Sequence, residues 1–338
     1  MTAPPLSVGI IGVGEAGRNV HIPVLRAMPE ARIAWIGDIN AARLNAAATA
    51  NGLRAVHLNG QRSELLPCDA VLLAVPIPPR AHYFDLLERA GMAVFAEKPL
   101  ANTAQEHRRL LSKFDPWRLS VGYQRRQYAT TRLLRRLIAE RPFGVLTSMC
   151  ITEGGRATRT GEGGPYQDQS VAEGGGITKN LGCHSLDLAF WITGARRFTM
   201  LDRHIDWDGE TDRRASAQIV LLEINGNASH DCKLDWTVSS LDRQPNMIEL
   251  QFEHARLHCP VQPGGSIDVL SRCGNRLYCI DAQDTGGATT INQACYLEWR
   301  AVLNGVASRS ENEMSASSSM LVAELMDELL SEIMVPCA

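Results

Sequence analysis

Three features of this sequence have the residue types and spacing to do chemistry: a lysine, a histidine and a run of glycines. Lys98 closes the short apolar run Val94-Phe95-Ala96-Glu97-Lys98, and Pro99 stops it. The pattern is that of a buried strand delivering an ammonium at its tip. There the lysine can hydrogen-bond an oxygen and offset negative charge developing on it. The chain has only four lysines, Lys98, Lys113, Lys179 and Lys233, so arginine supplies nearly all the other positive charge. His184 follows the triple glycine Gly174-Gly175-Gly176, four residues after Asn180 and three before Asp187. Apolar spacing from about Leu181 is helical, which puts Asn180 and His184 on one face near the helix start. The helix dipole there disfavours an imidazolium and leaves a neutral base near pH 7, with Asp187 close enough to orient the ring. A single helical histidine also has a purely structural reading.

The glycines are Gly12-Val13-Gly14-Glu15-Ala16-Gly17, between an apolar strand at Leu6–Ile11 and a helical pattern. In that setting Gly12 permits a tight turn, Gly14 lets a pyrophosphate approach the backbone, and Gly17 lets helix and strand pack closely. Glu15 and Ala16 then open the helix, whose free N–H groups favour an anion. A second strand, Arg32–Gly37, ends at Asp38, 21 residues after Gly17. A carboxylate at that place accepts hydrogen bonds from the adenosine ribose and repels a 2′-phosphate, and Ile39 and Asn40 bring no cation. NAD is therefore expected rather than NADP. An aspartate capping the helix near Ala41 is a second reading, compatible with the first.

The elements that position these residues alternate strand and helix. Strands at Leu53–His57, Asp69–Val75, Ala93–Ala96 and Leu119–Tyr123 are separated by helical stretches, one running from Pro76 to Ala90 and another over Thr103–Phe114. Such alternation predicts a parallel sheet with right-handed crossovers, and ligands bind at its carboxyl edge. The glycine turn, Asp38, Val75, Pro76, Glu97 and Lys98 all fall there. The expected organisation is α/β, with a dinucleotide-binding domain over residues 1–122 and a second domain over 123–338. Gln124–Glu140 reads as a basic amphipathic helix whose arginines either face solvent or, near its start, reach the cofactor cleft. Beyond Val145 the pattern becomes that of a largely antiparallel open sheet, with strands at Leu146–Thr152, Ala217–Ile224, Ala228–Val238, Met247–Leu257, Ser266–Leu270 and Arg276–Ile280. Helices at Gln293–Leu303 and Met320–Ile333 close the chain. Residues 153–176 hold eight glycines in 24 positions, a loop able to order over a substrate.

Composition excludes several function classes. With 338 residues, 45% hydrophobic and 21% charged, the chain has material for two cores. A net charge of −3 argues against a nucleic-acid binder, and no apolar run approaches a membrane span. Nine cysteines without a CxxC read as reduced thiols in a cytoplasmic protein. His254, His258 and Cys259 are the one ligand-like cluster; on the strand expected at Met247–Leu257 they read as strand residues, and no metal is expected. One face of the second sheet, left uncovered, is a natural surface for a homodimer or homotetramer.

GVGEAG at Gly12–Gly17, AEKPLA at Ala96–Ala101, VGYQRR at Val121–Arg126 and GGGITKNLGCHSLD at Gly174–Asp187 occur in an order and spacing that resembles the glucose–fructose oxidoreductase / inositol dehydrogenase / MocA family. The resemblance runs over essentially the whole chain. It implies a Rossmann domain plus an open α+β domain in an NAD-dependent dehydrogenase of a secondary hydroxyl on a sugar derivative: a nucleotide sugar, a cyclitol or an aminoglycoside-type sugar. The reverse reduction is the same chemistry. It also implies a catalytic set of Lys98, which hydrogen-bonds the reacting oxygen, His184, the general base, and Asn180, with Arg126 and Asn180 helping to hold the substrate. The family usually has aspartate where Asn180 stands and often histidine where Arg80 stands, 17 residues before Glu97; Arg80 is still expected at the cofactor, and the substrate is left open. The competing reading is a non-catalytic sensor of NAD and a ligand on the same fold, for which Lys98 and His184 would be unnecessary. An imine- or tetrapyrrole-reducing relative fits less well, because those usually lack the complete Lys98 and His184 elements.

Overall fold

The computed structural model describes residues 4–59, 65–155 and 168–331. Six segments of the N-terminal third form one parallel sheet: β1 (Leu6–Ile11), β2 (Ala31–Asp38), β3 (Ala55–His57), β4 (Ala70–Leu73), β5 (Ala93–Glu97) and β6 (Leu119–Gly122). Their order, β3-β2-β1-β4-β5-β6, reverses between β1 and β4, the switch point at which doubly wound sheets bind nucleotides. The central strands are apolar throughout because helices cover both faces of such a sheet; all four residues of β4 are buried. Helices α1 (Ile22–Arg26), α2 (Ala41–Asn51), α3 (Ile77–Arg89) and α4 (Ala104–Lys113) follow the strands.

A second sheet has eight strands: β7 (Leu146–Gly154), β8 (Arg197–Asp208), β9 (Thr211–Leu222), β10 (Cys232–Ser239), β11 (Met247–Phe252), β12 (Arg256–Pro260), β13 (Ser266–Leu270) and β14 (Arg276–Asp281). It runs β14-β13-β12-β11-β7-β10-β9-β8 and is antiparallel except between β7 and β10. Helices α5 (Ala129–Glu140) and α6 (Cys183–Thr193) belong to the same unit. The expected architecture of a Rossmann unit plus a mostly antiparallel sheet is therefore present.

The last third of the chain serves both units. Helix α7 (Ile291–Ser308) lies in the first, which comprises Met1–Asn102, Glu106–Tyr128 and Gly286–Ser319. Helix α8 (Met320–Leu330) lies in the second, with Thr103–Gln105 and Ala129–Thr285. A single boundary near Gly122 misses this return of residues 286–319 to the Rossmann unit, which no local pattern announces.

Three further differences from the sequence reading have local causes. The basic helix expected over Gln124–Glu140 is broken at Tyr128, which is extended (φ −62°, ψ 138°) and pairs with Ala288 after a 3₁₀ turn at Gln124–Gln127. The strand expected over Met247–Leu257 is a hairpin whose turn the Ala255 carbonyl closes by accepting from Phe252 N–H at 2.9 Å. His254 therefore lies in the turn and His258 on the next strand, so the two share no strand face. Strand β8 went unrecognised because it is an edge strand with many exposed residues, and its charges obscure the alternation.

Candidate active site

The glycine turn shows why each glycine is needed. Gly12 has φ +99°, and a β-carbon on it would stand 2.3 Å from the Ala74 carbonyl oxygen. A β-carbon on Gly17 would stand 2.2 Å from the Gly12 carbonyl oxygen, so the third glycine closes the helix onto the turn. Gly14 is different. The nearest atom to a β-carbon there is Nη1 of Arg43, at 3.7 Å, and nothing else lies within 4 Å. The backbone is thus open at Gly14, a cradle that fits a pyrophosphate. Glu15, exposed, and Ala16 follow, and the helix passes through a π-turn at Gly17–His21 before becoming α1. Such turns recur at functional sites because they redirect side chains.

Asp38 is buried and ties this turn to β2. Its Oδ2 accepts from Val13 N–H at 3.0 Å and its Oδ1 from Asn40 N–H at 2.8 Å. The cap of α2 is Asn40, whose Oδ1 accepts from Arg43 N–H at 3.0 Å. Each carboxylate oxygen of Asp38 has a further lone pair to offer a ribose hydroxyl. Ile39 and Asn40, directly after Asp38, bring no cation. Arg43, one helical turn further on, brings a guanidinium to the glycine turn.

Strand register lines up the rest of this edge. Ile11 is level with Gly37 and Leu73, Leu73 with Ala96, and Ala96 with Val121. Asp38, Gly12, Ala74 and Glu97 are therefore the next residues out along one row. Val75 is half-buried and Pro76, which precedes α3, is exposed. Arg80, expected at the cofactor, is a buried clamp in this structure. Its Nε donates to the Val75 carbonyl at 2.9 Å, and its Nη1 donates to the carbonyls of Glu97, at 2.6 Å, and of Pro99. It joins the end of β4 to the turn that carries Lys98.

Glu97 is held from its other side. His21 Nε2 lies 2.8 Å from Glu97 Oε1, and the indole Nε1 of Trp299 on α7 donates to His21 Nδ1 at 2.9 Å. Phe95 and Trp299 meet edge to face at 4.7 Å and wall in the imidazole. The other oxygen of Glu97, Oε2, accepts from Lys98 N–H at 3.3 Å. Burial opposes ionisation of Glu97. The His21 hydrogen bond and the Lys98 and Arg80 cations outweigh it and hold the carboxyl below its ordinary value. Sequence reasoning passed over His21 and Trp299. A histidine four residues after the third glycine, within an apolar helical pattern, was the available signal, because a buried imidazole needs partners.

Arg126 was expected at the substrate. It is 1% exposed, and its Nη1 donates to the Glu313 carbonyl and to Ser318 Oγ, both at 2.7 Å. It fastens the returning 313–318 segment within the first unit instead.

In the second unit the helix carrying His184 begins earlier than the apolar spacing suggested, with a π-turn at Thr178–Gly182 that includes Asn180. His184 is buried and stands about two turns in, beyond the first turn where a helix dipole acts strongly. Thr178 donates to Asp212 Oδ2 from both N–H, at 2.8 Å, and Oγ1, at 2.6 Å. Gly176 has φ +87°, and a β-carbon there would stand 1.7 Å from Asp212 Oδ1. On the sheet side, Trp236 Nε1 donates to Ser185 Oγ at 2.8 Å, and a β-carbon on Gly182 would meet the Trp236 ring at 2.7 Å. The helix segment bearing Asn180 and His184 is thus pinned at both ends. Residues 156–167 of the glycine-rich loop lie outside the described residues.

Among the described residues, no group of histidine, cysteine, aspartate and glutamate could hold a metal ion. His258 pairs with Glu249 at 3.5 Å, and burial pushes the Cys259 thiol up to about 12. No helix among the described residues is long and apolar enough to cross a membrane.

Residues 6–118 match a family described as "Oxidoreductase family, NAD-binding Rossmann fold". The rhizopine catabolism protein MocA of Rhizobium meliloti is 28% identical over 190 residues, 55% of this chain and 57% of that protein. The D-glucoside 3-dehydrogenase of Escherichia coli (strain K12) is 28% identical over 60% of this chain and 58% of the enzyme. The chain thus spans somewhat over half the length of these curated relatives. Among solved structures, KijD10, a 3-ketoreductase from Actinomadura kijaniata in complex with NADP and TDP-benzene, superposes with a TM-score of 0.78 at 18% identity, covering 96% of this chain and 97% of that one.

Proposed function

We propose, taking as premise that the chain belongs to the glucose–fructose oxidoreductase / inositol dehydrogenase / MocA family of oxidoreductases, that it is a nicotinamide-dependent dehydrogenase oxidising a secondary ring hydroxyl of a sugar derivative to a ketone, or catalysing the reverse reduction. The observation that carries this reading is the Glu97–Lys98 turn. Arg80 and His21 fix it at the same sheet edge as the open Gly14 cradle and Asp38.

Gly12, Gly14, Glu15, Ala16 and Gly17 would hold the pyrophosphate, Asp38 the adenosine ribose, and Val75, Pro76 and Glu97 would border the nicotinamide half. When bound, the cofactor takes up the hydride in oxidation or gives it in reduction. Lys98 donates a hydrogen bond to the reacting oxygen and stabilises its negative charge. His184 takes the hydroxyl proton during oxidation and returns it during reduction, with Asp187 orienting its ring. Asn180 hydrogen-bonds a substrate hydroxyl; as an amide it lacks the charge by which an aspartate would raise the basicity of His184. Arg80 holds Val75 and Glu97 in place beside the cofactor.

The substrate class is supported by the relatives, which include a D-glucoside 3-dehydrogenase and inositol 2-dehydrogenases. Nucleotide sugars, cyclitols and aminoglycoside-type sugars are the compounds to try. NAD remains the proposed cofactor because of Asp38, and Arg43 gives NADP a foothold. A second copy is proposed to cover the open sheet, where Leu201 and Trp207 of β8 and Leu277 and Tyr278 of β14 are exposed. The eight described cysteines are thiols, and a cytoplasmic location is part of the proposal.

The test is a screen of these sugars for reduction of NAD and NADP. Turnover with at least one class, and its loss in His184→Ala, is expected. Ligand binding without turnover by any compound would favour the sensor reading instead.

A further inference from the structure

A buried histidine beside a carboxylate ordinarily has two ways to make that bond, as a neutral ring or as an imidazolium. The surroundings of His21 remove one of them. The indole Nε1 of Trp299 can only donate, and it points at Nδ1 from 2.9 Å. Nδ1 must therefore offer a lone pair, so the ring proton sits on Nε2 and is donated to Glu97 Oε1 at 2.8 Å. Placing a second proton on Nδ1 would set two donors against each other in a site where His21 is 2% and Trp299 0% exposed.

The charged and titratable groups around the ring come from three elements besides its own. Strand β5 brings Glu97, with Lys98 next in the chain. Helix α3 brings Arg80, which reaches the Glu97 carbonyl. Helix α7 brings Cys295 and Glu298 beside Trp299, and burial together with the Glu298 and Glu97 carboxylates pushes the Cys295 thiol up. None of these takes the proton-accepting place at Nδ1, which Trp299 occupies.

We propose that Trp299 is a positioning residue for the lysine turn: by occupying Nδ1 it locks His21 in the Nε2–H tautomer, and so keeps the Glu97 carboxylate bonded on both sides, to His21 through Oε1 and to the Lys98 backbone through Oε2. Helix α7, about 200 residues from the turn in sequence, thereby sets the placement of Lys98. The consequence for turnover rests on the role proposed for Lys98. The tautomer does not.

The experiment joins two readouts. Ring-nitrogen NMR of His21 in cofactor-free protein reports the tautomer directly. Wild type is expected to show a protonated Nε2 and a bare Nδ1 across mildly acid to neutral solution. In Trp299→Phe, Nδ1 becomes free to protonate, and the two resonances should converge as pH falls. Turnover of Trp299→Phe should then fall below wild type by a factor that grows toward neutral and alkaline pH, where the uncharged ring can move its proton to Nδ1 and leave Nε2 with none for Glu97; the imidazolium at acid pH still donates from Nε2. The double variant Trp299→Phe/His21→Gln, whose amide can still donate to Glu97 but cannot titrate, should lose that added pH dependence. Identical His21 spectra in wild type and Trp299→Phe would overturn the proposal whatever the activity. If the spectra change as expected while turnover shows no added pH dependence, the tautomer lock stands and its link to Lys98 fails.

Discussion

Thr178 gives Asp212 two hydrogen bonds on one oxygen, at 2.8 Å from its N–H and 2.6 Å from its hydroxyl, and so anchors the start of the helix segment bearing His184. The other oxygen, Oδ1, is buried with no hydrogen-bond partner among the described residues and lies over Gly176. Burial therefore pushes the Asp212 carboxyl above its ordinary value, against the Thr178 hydrogen bonds and the Lys179 cation. A group whose folded pKa is raised binds its proton more tightly in the native state. Its contribution to stability is present below the ordinary value of 3.8 and is lost as pH rises through the folded value. The Asp212→Asn variant should accordingly match wild type in acid and gain relative stability as pH rises. Urea midpoints over that range measure it, and a constant difference would contradict the assignment.

Glu97 should show the opposite sign. Its carboxyl is held below the ordinary value of 4.5, so its contribution to stability is present above that value and is lost as pH falls through the lower folded value. Glu97→Gln should be close to wild type in strong acid and less stable near neutrality, by about 1–2 kcal/mol for a partly buried hydrogen bond to a charged group. Thermal melts at the two extremes are sufficient.

The glycine turn predicts a separation of stability from binding. Gly12→Ala and Gly17→Ala force a β-carbon onto backbone carbonyls and should cost about 2–4 kcal/mol of stability. Gly14→Ala meets open space, so its melting temperature should stay close to wild type. Its affinity for NAD or NADP should nevertheless fall by about tenfold or more, because the added methyl fills the place of the pyrophosphate. Cofactor titration by fluorescence, alongside melting curves, distinguishes the three.

Asp38 and Arg43 should act on cofactor choice in opposite directions. Asp38→Ala removes the ribose acceptor and weakens NAD, narrowing its preference over NADP. Arg43→Ala removes the cation near Gly14 and should weaken NADP more than NAD. Dissociation constants for both cofactors in both variants provide the check.

Much of the Rossmann unit was legible in the sequence because its strands are buried on both faces and its turns demand glycine. The row formed by Gly12, Asp38 and Glu97 follows from strand ends alone. What escaped had non-local or irregular causes. Trp299 reaches His21 across 278 residues, and Arg126 is fixed by contacts more than 180 residues away. The two π-turns, at Gly17–His21 and Thr178–Gly182, leave no periodic signature to read. Strand β8 was hidden by the solvent-facing charges of an edge strand. Arg43 does not stand beside Asp38 in the sequence, because a helix returns its side chains to the same edge one turn later.

In the proposed function Lys98 stabilises charge on the reacting oxygen of a sugar hydroxyl while the glycine turn and Asp38 hold the cofactor. The most direct measurement pairs cofactor titration with turnover in Lys98→Ala. A cofactor dissociation constant within about threefold of wild type and a turnover number lower by about a hundredfold or more are expected. Wild-type turnover in Lys98→Ala, on a substrate that the parent enzyme oxidises, would contradict it.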